Sequence, residues 1–337
     1  MIANGSWTAA LAGAGEQVLA RLDAVFVSPA SDFSLLSMAS AVLVAAAFLA
    51  VRRGRARPVR TTALVRALLP RSWATSPSVR ADIGLLLLNV FATGALLGWA
   101  IVTSGFVERS VGAMLGEGGG IPVPRWLLAV IVTGAFYFAY EAMYYADHWL
   151  KHNVPVLWHF HRVHHSAEHL NPLTNARMHP VDSVIFANIV ALGTGTAMAL
   201  VHRLFEAPGG PLAIGHSNAI MLAALYLILH LHHSHVWLPF TGRLGRWVLS
   251  PAHHQLHHST DPAHFNRNLG ATLALFDRLA GTLLVPEKQR QMLAFGAGPY
   301  DYDPHSVSGT LIQPFVDAAR EVQPRATDLP DPVPATR

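Results

Sequence analysis

Residues 126–165 read WLLAVIVTGAFYFAYEAMYYADHWLKHNVPVLWHFHRVHH, a membrane-length apolar run that passes directly into a string of histidines. A membrane helix needs about 20 mostly apolar residues to cross roughly 30 Å of hydrocarbon. Trp126 to Ala146 meets that length. The histidines that follow sit at helical spacing. His148 and His152 are at i and i+4, and His161, His164 and His165 are at i, i+3 and i+4. On a helix such residues share one face, with β-carbons about 5–6 Å apart. A buried membrane helix thus delivers imidazoles to one end of a bundle.

Four further apolar segments extend this reading. Phe33 to Val51, Ile83 to Val107, Ser183 to Val201 and Leu212 to Leu229 are predicted to cross as well, the last two with buried helices of a soluble core as the alternative. Only 13% of the 337 residues are charged, against about 25% in a soluble domain. The expected architecture is an all-α integral membrane protein, a bundle of about four to five transmembrane helices under a histidine-lined helical cap. Trp7 to Val27 carries no secretory signal and is expected at the membrane surface. Four parts follow: a surface segment over 1–32, the first three membrane helices over 33–146, a histidine-box region with helices four and five over 147–286, and a C-terminal segment over 287–337. The end of that segment, QPRATDLPDPVPATR, reads as disordered.

Arginines orient the bundle. The connection from Arg52 to Arg80 holds eight arginines and no acidic residue, so the positive-inside rule makes it cytoplasmic. Counting crossings then puts 147–182 and everything after Trp237 on the cytoplasmic face. That run is explained by topology and anionic lipid rather than by nucleic acid.

Histidine is the residue in excess, with twenty in the chain and no cysteine. The absence of cysteine excludes disulfide frameworks, thiolate zinc sites, iron–sulfur clusters and haem-thiolate chemistry. The boxes are DHWLKH (His148, His152), HFHRVHH (His161, His164, His165) and HHQLHH (His254, His257, His258), with LHLHHSH (His230, His232, His233, His235) at the end of the fifth segment. An HxxHH box can give two ligands to one metal and one to a neighbour. One zinc needs four ligands, or three and a water; eight imidazoles plus one or two from the fifth segment suit two metals. Imidazole serves iron, zinc and copper alike. Redox chemistry favours iron, because no box supplies the carboxylate base of a hydrolytic HExxH site. Solvated or pH-responsive surface histidines are the bland alternative, and a zinc-dependent membrane hydrolase or a non-catalytic metal transporter are the rival functions. A transporter would place its ligands near mid-membrane.

HFHRVHHSAEHLNPLTNARMHPVD and NLGATLALFDRLAGT resemble the signature regions of the fatty acid hydroxylase/sterol desaturase superfamily, over roughly Tyr137 to Pro286. The resemblance implies a membrane di-iron oxidoreductase that hydroxylates or desaturates a lipid of sterol, fatty acyl, sphingoid or carotenoid type in lipid biosynthesis; alkylglycerol monooxygenase is a related branch. It implies two iron ions, with zinc as a substitute, dioxygen as cosubstrate, and electrons from a separate donor protein. Its ligands would be His148, His152, His161, His164, His165, His254, His257 and His258, with His254 selected over His253. His233 aligns best as the contribution of the fifth segment, His230 is the next candidate, and His179 is a ligand or stands behind one. A lipid would enter laterally and present one carbon to the metals, with substrate choice residing in the apolar residues of helices three to five.

Gln255 and Leu269 depart from the arginine and tyrosine common in relatives, and bear on substrate or packing. Asp147 is expected either to orient His148 or to face water, and Arg177 and Asp182 to pair or to anchor the His179 segment. Asn268 and Asp277 suit a structural role. His159 points elsewhere, His169, His202, His216, His264 and His305 are expected on the surface, and Trp149, Trp158 and Trp237 as interfacial anchors.

Overall fold

The computed structural model describes residues 4–53, 70, 73, 75–116, 120–206, 210–214 and 217–322, with side chains from residue 15 to 52 in the first of these. The predicted disordered tail and His216 lie outside the described residues, as do most of the arginines between helices one and two. Among the described residues, four helical stretches are long and apolar enough to cross a membrane: Leu35–Arg52, Pro77–Leu115, Arg125–Asn153 and Pro180–Leu204. The protein is an all-α, multi-pass membrane protein.

Helix α1 (Asn4–Phe26) precedes α2 (Leu35–Arg53). The second membrane stretch is jointed. It begins as α3 (Pro77–Leu88), passes through a π-helical turn at Asn89–Thr93 and a 3-10 turn at Gly98–Ala100, and resumes as α4 (Ser104–Leu115). Backbone groups freed within a membrane must find partners in the protein, and they do. Arg21 of α1 donates to the Val90 carbonyl at 3.0 Å. Asn188 brackets the second joint, accepting from the Val102 amide and donating to the Ala100 carbonyl, both at 2.9 Å.

Helix α5 (Arg125–Asn153) and α7 (Pro180–Leu204) form the spine, with Leu128, Val132, Met198 and Val201 buried between them. α4 packs on α7 where Ser104 and Thr194 share a hydrogen bond at 2.8 Å. Gly195 permits that approach, since a β-carbon there would stand 2.5 Å from the Ser104 carbonyl oxygen. Between the spine helices, α6 (Pro155–His165) turns back under the bundle after Asn153.

The fifth predicted span is not a full membrane helix. α8 covers Ala219–Leu227, and with a 3-10 turn the apolar helix ends at Leu231. Thirteen residues rise about 20 Å, short of the hydrocarbon thickness. The chain makes up the difference in another form. Phe205–Glu206 pairs with Ile121–Pro122 beside the start of α5. The Leu212 amide and the Asn218 side chain then bond to Thr133, two turns further along α5. Much of the return is therefore made by polar contacts to α5, and α8 completes it. α2 runs alongside: Ser40 bonds to Tyr226, and Ala41 and Ala45 pack against Leu231 and Val236.

Below the bundle, α9 (Pro251–His257), α10 (Leu275–Ala280) and α11 (Gln313–Val322) form the cap with one-turn helices at Gly242–Gly245 and Val307–Leu311. Trp237, predicted as an interfacial anchor, is instead buried with Ala252 and Leu256, and its indole donates to the Glu287 carbonyl. Trp149 is exposed, and Trp158 is half-buried at the histidine site. Phe315 of α11 packs on Phe160 of α6, so the C-terminal segment is part of the fold as far as Val322.

Candidate metal centre

Nine histidines converge in two groups at the junction of bundle and cap. His148, His152, His161, His165 and His257 form one, and His164, His233, His254 and His258 the other; within each group the ligand nitrogens lie within 4.8 Å of one another. Helical spacing explains the division. His148 and His152 face inward from the last turns of α5. On α6, His161 and His165 serve the first group while His164, one position off, serves the second. α9 does the reverse: His254 and His258 serve the second group and His257 the first. The stacked rings of His165 and His258, with centroids 4.4 Å apart, join the two.

Burial disfavours the charged form of several of these imidazoles and leaves them neutral donors. It pushes His164 and His257 down to about 3, and His165, His233, His254 and His258 well below the usual histidine value, with mutual repulsion adding to the effect. The Nε2 atoms of all five members of the first group are buried without a hydrogen-bond partner, and each such orphan costs about 1–3 kcal/mol. In the second group the Nε2 atoms nearly touch: His164 to His233 at 3.1 Å, His233 to His254 at 2.9 Å, His254 to His258 at 3.1 Å. Metal–nitrogen bonds of about 2.1 Å at right angles would separate two ligand nitrogens by about 3.0 Å. Both groups fit a bound metal ion.

The orientation of the rings comes from behind. A loop after α9 works as a collar: the Leu269 carbonyl accepts from His148 Nδ1 at 2.8 Å, the Arg267 carbonyl accepts from His257 Nδ1 at 2.9 Å, and the Asn266 side chain bonds His152. His161 Nδ1 donates to the Asp182 carboxylate at 3.0 Å. A proton held on Nδ1 leaves Nε2 free to coordinate. Asp277 fixes the collar by accepting from the amides of Leu269 and Gly270, and Asn268 ties it to the His253 and Leu284 carbonyls. From α5, Glu141 accepts from the amides of Thr272 and Leu273 and from the Thr272 hydroxyl.

Two cavities meet the centre from different sides. One of about 390 Å³ is bounded by His152, His165, His257 and His258 together with Trp158 and Arg162. The other, about 430 Å³, lies within the bundle between α5 and α8; Phe136, Leu222, Leu225 and Leu229 form its apolar wall and His233 stands at its edge.

Residues 133–282, which hold all nine histidines, match the family model described as fatty acid hydroxylase. Over this segment the chain is similar to the fatty acid hydroxylase superfamily. The chain is 26% identical over 148 residues to alkylglycerol monooxygenase of Caenorhabditis elegans, covering 43% of this chain and 25% of the relative. It is 27% identical over 170 residues to alkylglycerol monooxygenase of Xenopus tropicalis, covering 49% and 33%. An ornithine lipid hydroxylase of Rhizobium tropici is 29% identical over 164 residues, covering 49% and 45%. The chain thus spans between a quarter and a half of the length of these curated relatives. No solved structure matches it.

Within the hydroxylase domain, His179 and His230 stand outside both groups. His179 caps α7, accepting from the Val181 amide, and donates to the Leu311 carbonyl. His230 bonds the Leu225 carbonyl. His253 is held by Ser250 and the Gly245 carbonyl, and Gln255 bonds the carbonyls of Ser234 and Val236, fixing the strand of chain that presents His233. Asp147 neither orients His148 nor faces water: it is buried and pairs with Lys151 at 2.6 Å. Arg177 pairs with Asp82 at 2.9 Å, not with Asp182, which joins Lys151 and His161. His305, expected on the surface, is packed between Arg177 and Glu168.

Proposed function

We propose that the protein is a non-haem di-iron oxygenase that hydroxylates or desaturates a membrane lipid. The observation that carries the reading is the pair of all-imidazole groups set directly against an apolar-walled cavity inside a membrane bundle. A hydrolase would call for a carboxylate beside the metal, and both groups consist of histidine alone. The likeness to monooxygenases and hydroxylases of ether and ornithine lipids supports lipid oxidation.

His148, His152, His161, His165 and His257 would hold one iron, and His164, His233, His254 and His258 the other. Bound there, two redox-active ions would supply the activation of dioxygen and the oxidising power needed for an unactivated C–H bond. The protein's own part is placement and exclusion. Phe136, Leu222, Leu225 and Leu229 align an aliphatic segment and keep water from it, while the collar and Asp182 hold the imidazoles in one tautomer and one orientation. Electrons would come from a separate donor protein. The arginine-rich connection supports a cytoplasmic histidine face. α3 starts near the histidine end, where the Ser78 hydroxyl accepts from the Glu168 amide and its carbonyl accepts from Arg177.

Comparing lipid extracts with and without the gene, alongside metal analysis of the purified protein, tests this. Two irons per chain and an oxidised lipid are expected. His165→Ala and His257→Ala should abolish the product and lower metal content, whereas Leu225→Trp, which fills the cavity, should abolish the product with metal retained. Zinc alone with hydrolytic turnover, or normal product from the histidine variants, would overturn the reading.

A further inference from the structure

The bundle cavity also has polar lining: Asp32, Tyr140, Tyr144, Asn175, Ser217 and Asn218. Asp32 is the most informative, because it carries a charge into the cavity from the turn between α1 and α2, outside the matched segment.

Asp32 is held in place from two sides. The turn that carries it is tied to α8 where the Tyr226 hydroxyl donates to the Pro29 carbonyl at 3.0 Å. Its carboxylate accepts from the Asn175 side chain. Among the described residues no cation pairs with it, although Arg177, Asp82, Lys151, Asp147 and Asp182 nearby in the fold are all matched. Desolvation lifts its carboxyl to about 6, only partly opposed by the amide. At neutral pH the group is therefore mainly an anion in a low-dielectric cavity without a counter-charge. Such a group is costly unless a partner arrives. It remains half-buried, and the space beside it is the cavity itself.

We propose that Asp32 and Asn175 anchor a protonated amine in the head of the lipid substrate. The proposal rests on the lipid-oxygenase reading and adds the substrate class to it. An ammonium supplies the missing charge and several N–H donors, which the Asp32 carboxylate and the tyrosine oxygens can accept. Asp32 and His233 line the same cavity of about 430 Å³, so a lipid whose head is held at Asp32 shares that cavity with the metal centre.

The test is equilibrium binding of radiolabelled dodecylamine and dodecanol to the iron-loaded full chain in nanodiscs at pH 7. The amine should bind at least about tenfold more tightly than the alcohol, as expected for a buried carboxylate gaining its counter-charge. Asp32→Asn should bring the two together, and Asp32→Glu should keep much of the preference. Iron content of each variant reports whether the centre is intact. Equal binding of amine and alcohol by the unaltered protein overturns the proposal without any variant. So does an iron-replete Asp32→Asn protein that keeps the preference. An oxidised lipid found in the gene comparison together with equal binding would sink the amine anchor alone. A protein that binds amine yet holds no iron and oxidises nothing would sink the oxygenase reading instead.

Discussion

Asp182→Asn is the substitution that most directly tests how the metal centre is built. Asp182 is fully buried, accepts from His161 Nδ1 at 3.0 Å and pairs with Lys151, which also donates to the Asp182 carbonyl at 3.2 Å. The amide keeps the shape and still offers an oxygen to His161, but it removes the charge that makes the imidazole a stronger donor. Hydrogen bonds to an ionised partner are roughly twice as strong as neutral ones, and losing such a support typically costs about 10–100-fold in metal affinity, or about 1.4–2.7 kcal/mol. The loss should fall on one ion. His161 belongs to the five-histidine group, so that iron should be released first, and the four-histidine group should keep its own. Lys151 stays paired with Asp147 at 2.6 Å, which protects the fold. The assay is iron per chain against a graded chelator series, with unfolding followed in parallel. Asp147→Asn is the control: it disturbs the same lysine without touching a histidine, so it should lower stability and leave metal affinity unchanged. Retention of both irons at the original affinity in Asp182→Asn, or their simultaneous loss at every chelator concentration, would refute the argument.

Acid should unfold the metal-free protein. His164 and His257 sit near 3 in the fold against about 6.5 in the unfolded chain. Only the unfolded chain takes up protons as pH falls from about 6.5 to 3, so each such histidine removes about 1.4 kcal/mol of stability per pH unit across that window. Unfolding midpoints measured between pH 7.5 and 5 should fall; a flat profile would contradict it. Arg177→Lys should fail for a geometric reason. The fully buried guanidinium donates to the Val163, Ser78 and Pro304 carbonyls, Ser166, Asp82 and His305, a fork that an ammonium cannot reproduce. A loss of about 3–5 kcal/mol is expected when a buried carboxylate such as Asp82 is left poorly paired. A melting temperature unchanged from the parent protein would argue against it.

Much of this architecture is legible in the sequence because it depends on side-chain identity at fixed spacing. The i, i+3, i+4 pattern on one helix face is a local fact, and it is enough to suggest how each HxxHH box divides its histidines between the two groups. The collar is illegible for the opposite reason. Its acceptors at 267 and 269 are main-chain carbonyls, which every residue carries, so the change to Leu269 leaves the bond to His148 possible. The choice of partner by Lys151, Asp147 and Asp182 is likewise tertiary. Spacing shows that Lys151 can reach Asp147 within α5, but only the packing of α7 on α5 brings Asp182 to the same ammonium. The fifth span misled because hydropathy measures apolarity and not route. Leu212 to Leu229 is apolar enough to cross, yet Leu212 and Asn218 bond to Thr133 and the helix begins only at Ala219.

The reciprocal sharing of the two boxes ties metal binding to assembly. α5 and α6, which belong to the bundle, supply four of the five ligands of one group, and the cap supplies His257 as the fifth. For the other group the balance reverses: α6 gives only His164, while His233, His254 and His258 come from the chain around α9. Neither group is complete until α9 docks under α6, and docking without metal buries five imidazoles with unmatched Nε2 atoms and crowds the Nε2 atoms of four more against one another. Binding free energy that requires a preformed site appears as folding free energy. The irons would therefore hold the cap to the membrane bundle as well as carry the chemistry.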